Sequence, residues 1–259
     1  NRKTFNYQVL KPKNKPIFKS VSKQFGLNFT HTEDNYIDFN RQKLIPFQIS
    51  DRGPATAVGD INGDGKDDVF FGSSKYIKSQ FFIQQDSTFA LKGFTTIDKD
   101  SISEDVAALI LDLNKDGKND LLVGSGGGDF FGKMQPLLNR LYFQQNDGFT
   151  KQTLTEIYTN TSVIKPFDID GDGDEDLFCG SHAYTGDYGK TPLSYLLMNE
   201  KGSFKITENV PLANAGMLTD AVWSDFDGDG QKDLIVVGEW MHPKFFKNNK
   251  GTLTEANIG

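Results

Sequence analysis

Short apolar runs of strand length recur along the chain, and each ends in glycine. They occupy residues 69–72, 121–124, 177–180 and 234–238. Runs this short are typical of buried strands rather than helices, and no stretch shows sustained helical periodicity. A further apolar segment precedes each run, for example at residues 55–58 and 106–111.

A hairpin pattern follows each run after a linker of variable length. The four hairpins cover residues 81–89, 141–149, 195–204 and 244–253. Each repeat therefore contains four short antiparallel strands, which cannot bury both faces of their sheet alone. Radial stacking of such units gives a β-propeller. The sequence predicts an all-β fold, a β-propeller of four-stranded antiparallel blades, with the four repeats forming part of a larger propeller.

The domain boundaries follow from these repeats. Residues 51–259 contain the four blades, at about 52–97, 104–155, 161–209 and 217–257. Residues 1–50 form an N-terminal segment, in which 16–22 resembles the last strand of an incomplete blade. Because four blades close poorly and the chain stops just after a last strand, we expect a fragment of a longer propeller.

A nine-residue acidic loop precedes each glycine-terminated run. The pattern Asp-x-Asp/Asn-x-Asp-Gly-x-x-Asp occurs at residues 60–68, 112–120, 168–176 and 225–233. Oxygen-bearing side chains stand at positions 1, 3, 5 and 9, and glycine stands at position 6, where the chain must turn sharply. Carboxylates crowded in this way repel one another unless a cation lies among them.

Ca²⁺ is the cation that this loop composition favours. Side-chain oxygens, a backbone carbonyl from position 7 and water can supply the roughly six to eight oxygens that Ca²⁺ prefers. The loops contain no Cys or His, which argues against Zn²⁺ and copper. An EF-hand needs Glu at position 12, where these loops have Phe71, Val123, Cys179 or Val236, so that motif is excluded.

We therefore predict about four structural Ca²⁺ ions. The candidate metal residues are Asp60, Asn62, Asp64, Lys66, Asp68, Asp112, Asn114, Asp116, Lys118, Asp120, Asp168, Asp170, Asp172, Asp174, Asp176, Asp225, Asp227, Asp229, Gln231 and Asp233. The residues at position 7 contribute their backbone carbonyls.

Composition narrows the classes of partner. The 259-residue chain has a formal net charge of −7, which disfavours nucleic acid and anionic membrane surfaces. No apolar run approaches the roughly 18 residues of a membrane-spanning helix. The single cysteine, Cys179, allows no internal disulfide and lies in an apolar run where packing is expected.

The expected calcium affinity bears on location. Extracellular loops of this kind bind Ca²⁺ at roughly 10⁻⁴ to 10⁻³ M, too weakly to be filled in the cytosol. We expect an extracellular or outer-surface protein, exported by a signal or anchor that this chain does not include.

At these residues the chain resembles the FG-GAP/VCBS repeat family, whose blades also form integrin α-chain heads. Residues 25–31 and 52–60 further resemble bacterial surface proteins in which such repeats precede an ASPIC/UnbV-type segment. The resemblance implies Ca²⁺ coordination by positions 1, 3, 5 and 9 of all four loops and an extracellular setting. Asn62 and Asn114 replace Asp at position 3, which lowers the charge of the first two loops. The resemblance does not identify a ligand.

The linkers between the second and third strands are the candidate ligand face, because a propeller places them opposite the acidic loops. They contain Tyr76, Phe130, Phe131, Tyr184, Tyr188 and Trp240, together with Asp129, Asp187 and Glu239. Aromatic rings beside carboxylates can anchor a protein or stack on a sugar, and they can equally pack the linkers onto the blades.

Two classes of function remain at this point. The first is a recognition or assembly module without enzymatic activity, for a protein partner and, second, for a glycan. The second is a polysaccharide lyase or hydrolase, which requires convergent titratable groups in one pocket. Residues 127–134 nearly match a phosphate-binding loop, but Met134 lacks the required hydroxyl and no βαβ pattern surrounds it. The sequence leaves the ligand and the oligomeric state open.

Overall fold

The computed structural model describes residues 17–146 and 148–257. It contains four separate four-stranded antiparallel sheets, each with its strands in chain order, which confirms the predicted all-β architecture of blades. The first sheet comprises β1 (Thr56–Gly59), β2 (Asp68–Phe71), β3 (Gln80–Gln84) and β4 (Phe89–Lys92). The second comprises β5 (Asp105–Leu111), β6 (Asp120–Ser125), β7 (Arg140–Gln145) and β8 (Gly148–Thr153).

The third and fourth sheets repeat this arrangement. The third comprises β9 (Asn160–Phe167), β10 (Asp176–Ala183), β11 (Tyr195–Glu200) and β12 (Ser203–Thr207). The fourth comprises β13 (Met217–Ser224), β14 (Asp233–Glu239), β15 (Lys244–Asn249) and β16 (Thr252–Ala256). All sixteen strands lie within the four predicted blades, except that β9 begins at Asn160, one residue before the predicted start of the third blade.

Apolar cores lie between neighbouring sheets. Phe70 and Phe81 of the first sheet pack with Leu121 and Tyr142 of the second. Corresponding clusters join the second sheet to the third and the third to the fourth. In the described residues, extended contacts between sheets follow the same order and run mainly through the first strands β1, β5, β9 and β13. Each blade therefore buries its faces against its neighbours, as the stacking argument requires.

Strand burial differs between the middle and the outer blades. Every residue of β6 and β10 is buried, including the free thiol of Cys179, whereas β2 alternates between buried and half-buried positions. Full burial on both faces explains why the runs at 121–124 and 177–180 are continuously apolar.

Helices are minor elements in the described residues. Two single turns, α1 (Thr95–Asp98) and α2 (Val210–Ala213), connect the first blade to the second and the third to the fourth. Three short 3₁₀ helices occur at Ser22–Phe25, Asp38–Asn40 and Gln135–Leu137. No described helix has the length and apolar character needed to cross a bilayer.

The described part of the N-terminal segment, residues 17–50, packs against the blades and contains no β-strand. Residues 1–16 lie outside the described part of the chain, and 17–22, the remainder of the strand-like stretch predicted at 16–22, are not in a β-strand. Farther along, Phe29 stacks on Phe71 with ring centroids 4.2 Å apart, and Ser74 donates to the carbonyl oxygen of Thr32. The backbone amide of Tyr188 in turn donates to Gln42. The segment thus contacts linkers of the first and third blades.

Candidate metal loops and the linker end

All four acidic loops connect the first strand of a blade to the second. They therefore lie at one end of the sheets, which we call the loop end. The linkers between the second and third strands lie at the other, which we call the linker end. The structure thus separates the predicted metal residues from the predicted ligand face by the length of a strand.

The position 1 carboxylate organises each loop. In the third loop Asp168 Oδ1 accepts hydrogen bonds from the amides of Gly171 and Asp172, at 2.8 and 3.1 Å, and Oδ2 accepts one from Gly173 at 2.9 Å. The corresponding bonds to Asp225 in the fourth loop measure 2.8 to 3.1 Å. Amides that converge on one carboxylate fold the loop tightly and hold the side chains at positions 3 and 5 beside it.

The position 9 carboxylate has a different role in the structure. Asp120 is fully buried; its Oδ2 accepts the amide of Leu113 at 3.1 Å and its Oδ1 accepts the amide of Gln144 at 2.9 Å. Asp68, Asp176 and Asp233 make the same pair of bonds, to the second loop residue and to the third strand. This aspartate ties the loop to the sheet, a function that its spacing did not reveal.

Burial also changes how the position 9 carboxylates ionise. Burial raises the pKa of Asp120 and of Asp176 to about 6, while the amide hydrogen bonds act in the opposite direction. Repulsion raises both pKa values further, from Asp116 and Asp112 on Asp120 and from Asp170 and Asp172 on Asp176. A bound cation would reverse that repulsion, since it favours the ionised form.

The loops differ in how many carboxylates converge. In the third loop, carboxylate oxygens of Asp168, Asp170 and Asp176 lie within 4.8 Å of one another, and in the fourth those of Asp225, Asp227 and Asp229 do so. In the first loop Asn62 Nδ2 instead donates to Asp64 at 3.2 Å, and in the second Asn114 donates to Asp116 at 3.3 Å. Two loops therefore present three convergent carboxylates, and two present an amide in the third position.

A lysine contacts the cluster of the fourth loop. Lys247 Nζ forms ion pairs with Asp227 and, at 3.0 Å, with Asp229. The amide of Gln231 and then Lys247 lower the pKa of Asp229. The ammonium group neutralises part of the charge that a divalent ion would neutralise.

Asparagine side chains fasten each of the last two blades to the loop of the preceding blade. Asn199 of β11 donates to the carbonyl oxygen of Leu113 in the second loop, at 2.8 Å. Asn248 of β15 donates to that of Ile169 in the third loop, at 3.1 Å. The loops thus take part in the contacts between blades.

The six predicted aromatic residues all lie in linkers at the linker end, but their exposure differs. Trp240, Tyr76 and Phe131 are 74%, 69% and 52% exposed. Tyr184 and Tyr188 are half-buried, whereas Phe130 is buried and offers little surface for contact. Tyr76 and Trp240 have φ angles of 66° and 56°, a region that side chains other than glycine rarely adopt.

A buried polar network beside these rings was not predicted. Tyr188 donates its hydroxyl proton to Glu239, and His182 Nε2 lies 3.2 Å from the same carboxylate. Burial, and next the nearby Arg52, lower the pKa of His182 to about 4. Tyr188 also packs edge-on against Trp240, with ring centroids 5.3 Å apart. The sequence placed Tyr188 and Glu239 in the candidate ligand face, but no repeated spacing connects them to His182 or Arg52, so their interaction was not predicted.

Known repeat families match all four acidic loops. The FG-GAP-like repeat matches residues 112–179 and 168–236, and the FG-GAP repeat matches residues 52–77. This chain is an FG-GAP repeat protein. The matches include all or most of each apolar run that follows a loop. The narrower resemblance to proteins with an ASPIC/UnbV-type segment remains a prediction.

Curated relatives include cartilage acidic protein 1 of Mus musculus and of Homo sapiens. The mouse protein is 27% identical over 212 residues, which cover 77% of this chain and 31% of the relative. The human protein is 26% identical over 211 residues, with 77% and 30% covered. The chain thus spans less than a third of the length of these relatives.

Similar solved structures include an Agrocybe aegerita lectin that recognises non-reducing terminal N-acetylglucosamine. The lectin is 17% identical with a TM-score of 0.48, over 76% of this chain and 49% of the lectin. The V. cholerae biofilm matrix protein Bap1 is 16% identical with a TM-score of 0.42, over 80% and 30%.

Proposed function

We propose that this FG-GAP repeat chain is a calcium-binding extracellular module that recognises a protein partner or, second, a glycan. The observation that carries the calcium assignment is the convergence of three carboxylates in the third and fourth loops. These carboxylates stand at positions 1, 3 and 9 of the third loop and at positions 1, 3 and 5 of the fourth, and all supply hard oxygen ligands. Positions 1, 3 and 5 of the first two loops supply the same ligands with one fewer charge.

Calcium stabilises the fold in this proposal. At free Ca²⁺ about ten times Kd, each site adds roughly 1.4 kcal/mol, and four sites add about 5 to 6 kcal/mol. For a chain of this length such a gain raises Tm by about 10 to 20 °C. Thermal melts in Ca²⁺ and in EGTA measure the difference, with Mg²⁺ as the control ion because it fits a tighter octahedral site. Equal Tm values in Ca²⁺ and EGTA would disprove a structural role for the metal.

Exposed aromatic residues at the linker end support the recognition function. Trp240 and Tyr76 are large, mostly exposed and held at unfavourable backbone angles, a combination that concentrates at binding sites. Binding to a panel of purified cell-surface proteins and to a glycan array, in Ca²⁺ and in EGTA, tests this role. Trp240→Ala should abolish the interaction. Leu91→Ala, which removes a 63% exposed side chain on β4, should leave it unchanged.

One observation favours the enzyme alternative, a polysaccharide lyase or hydrolase. His182, Glu239 and Tyr188 bring three titratable groups together at the linker end. His182 is only 1% exposed, so the surrounding linkers must move before a substrate can contact it. Release of new sugar ends from a surface polysaccharide, lost in Glu239→Gln, would establish the enzyme and overturn the purely recognition function.

A further inference from the structure

Buried polar atoms without partners concentrate at the linker end. Eight such side-chain atoms occur in the described residues, and six belong to residues at this end: Tyr36, Asp38, Arg52, Glu104, Asn160 and His182. Of these, His182 Nε2 still lies 3.2 Å from the Glu239 carboxylate. An unsatisfied buried polar atom costs free energy, so most native proteins have few of them. Their concentration makes this region a candidate binding site.

Three of the six atoms are oxygens that only accept hydrogen bonds when the carboxyl groups are ionised. They are Asp38 Oδ1, Glu104 Oε1 and Asn160 Oδ1, on side chains whose residues are 0%, 3% and 6% exposed. Burial raises the pKa of Glu104 to about 9, and a bound cation would favour its ionised form. The other oxygen of Asp38 accepts the amide of Ser50 at 3.1 Å and its hydroxyl at 2.5 Å, which fixes the carboxylate and leaves Oδ1 unpartnered. Acceptors without donors are the chemistry of a cation site.

The glycine turn at residues 126–128 holds these residues together. The amide of Gly126 donates to the carbonyl oxygen of Glu104 at 3.1 Å. A Cβ at Gly127 would overlap the Glu104 carboxylate, and one at Gly128 would overlap Asp38 Oδ1. Consecutive residues of one turn thus approach both carboxylates, and only glycine permits this.

The side chain of Asn160 is linked to the same turn by the hydroxyl group of Thr185. Its Nδ2 donates to Thr185 Oγ1 at 2.9 Å, and that hydroxyl lies 3.5 Å from the carbonyl oxygen of Gly127. The amide nitrogen of Asn160 is therefore used in fixing the side chain, and its oxygen remains without a donor.

Neither of the neighbouring basic side chains donates to Asp38 Oδ1 or Glu104 Oε1. Lys75 pairs with Asp34 and Asp129. Arg52 Nη1 also lacks a hydrogen-bond partner, and its guanidinium interacts electrostatically with Glu239 more strongly than with Glu104. Glu33 and Asp34 line a surface cavity of about 480 Å³, together with Tyr36 and Lys75.

We propose that Asp38, Glu104 and Asn160 form a cation site, separate from the four loops, for a hard divalent ion such as Ca²⁺. The donors are all oxygen, which matches Ca²⁺ better than a softer metal. They come from the N-terminal segment, from the residue before β5 and from the first residue of β9. The ion therefore joins the N-terminal segment to the second and third blades.

The number of Ca²⁺ ions bound per chain tests this site. Equilibrium dialysis compares the unaltered chain with the double variant Asp38→Asn/Glu104→Gln, which keeps the shape of both side chains. Asp220→Asn/Glu200→Gln is the control, because it removes the same charge from exposed surface ion pairs. We expect the site variant to bind one Ca²⁺ fewer than the unaltered chain and the control variant to bind the same number. Equal binding by all three proteins overturns the proposal.

The difference in Ca²⁺ bound between the unaltered chain and the site variant does not depend on whether the loops bind Ca²⁺. If the loops bind no Ca²⁺, the unaltered chain still binds one ion and the site variant none, so failure of the proposed function is distinguishable from failure of this site. Anomalous diffraction from crystals of the unaltered chain grown in Ca²⁺ gives a second measurement that needs no variant. A peak between Asp38 and Glu104 supports the site, and its absence beside occupied loops contradicts it.

Discussion

The two ends of the sheets place acidic residues in opposite environments. At the loop end, side chains such as Asp170 and Asp227 are exposed and repeat with a fixed spacing. At the linker end, Asp38 and Glu104 are buried, lack partners on one oxygen and belong to no repeat. Local chain geometry creates the first arrangement, whereas packing between distant segments creates the second. The repeated motif therefore predicts the acidic residues at the loop end but not those at the linker end.

The largest expected effect separates the two kinds of aspartate within a single loop. Asp120→Asn turns one carboxylate oxygen into an NH₂ group that cannot accept, so one of the two backbone amides bonded to Asp120 loses its partner. We expect the free energy of unfolding to fall by about 3 kcal/mol. Asp116→Asn, at an exposed position, should change stability by only a few tenths of a kcal/mol. Urea denaturation in EGTA measures both variants without contributions from metal. Similar losses for the two would show that position 9 does not anchor the loop.

A smaller effect concerns pH and the linker end. His182 has a folded-state pKa of about 4, below its usual value of 6.5, so its contribution to stability is complete above pH 6.5. That contribution is lost as pH falls towards 4, by an amount on the order of 2 kcal/mol at pH 5. His182→Gln should flatten the stability profile between pH 6.5 and 5. A variant with an unchanged profile would locate the acid sensitivity in the carboxylates alone.

The next prediction concerns the difference between the loops themselves. Asn62→Asp adds a carboxylate at position 3 of the first loop and removes the amide that donates to Asp64, so Ca²⁺ should bind there about fivefold more tightly, or about 1 kcal/mol. In EGTA the same change should slightly destabilise the chain, because the new charge is uncompensated. Asp170→Asn in the third loop should weaken Ca²⁺ binding and should slightly stabilise the chain in EGTA. Isothermal titration calorimetry with Ca²⁺ and melts in EGTA give the two values, and effects of the same sign in both conditions would argue against metal binding.

The smallest effect on stability is expected at Trp240. Its ring is 74% exposed, so Trp240→Ala should change the free energy of unfolding by less than about 0.5 kcal/mol. A larger loss in chemical denaturation would mean that the ring packs the linker against Tyr188 rather than serving recognition.

The strands and loops could be predicted because their pattern is local. The apolar run that follows each loop became the buried second strand, and the turn residues of each hairpin separated the third strand from the fourth. The role of Asp120 could not be predicted, since its partner Gln144 lies 24 residues away across the sheet. Composition and spacing alone cannot distinguish a metal ligand from an anchor, because both require the same carboxylate.

The linker end was less predictable for the same reason. Asp38 and Glu104 are 66 residues apart in the sequence, and both carboxylates lie against the same turn because Gly127 and Gly128 have no side chain. Residues 127–134 nearly match a phosphate-binding loop, but the match does not predict the two carboxylates that lie against this turn. Of the strand-like stretch at 16–22, residues 17–22 failed to form a strand, which shows that similarity to a last strand is insufficient without partners to pair with.

The hydrogen bonds from Asn199 and Asn248 impose a direction on the assembly. The third and fourth blades each bind the backbone of the acidic loop in the blade before them, so disorder in that loop also weakens the attachment of the following blade. On the proposal that the loops bind Ca²⁺, one ion in such a loop would stabilise two consecutive repeats, and its removal would weaken both.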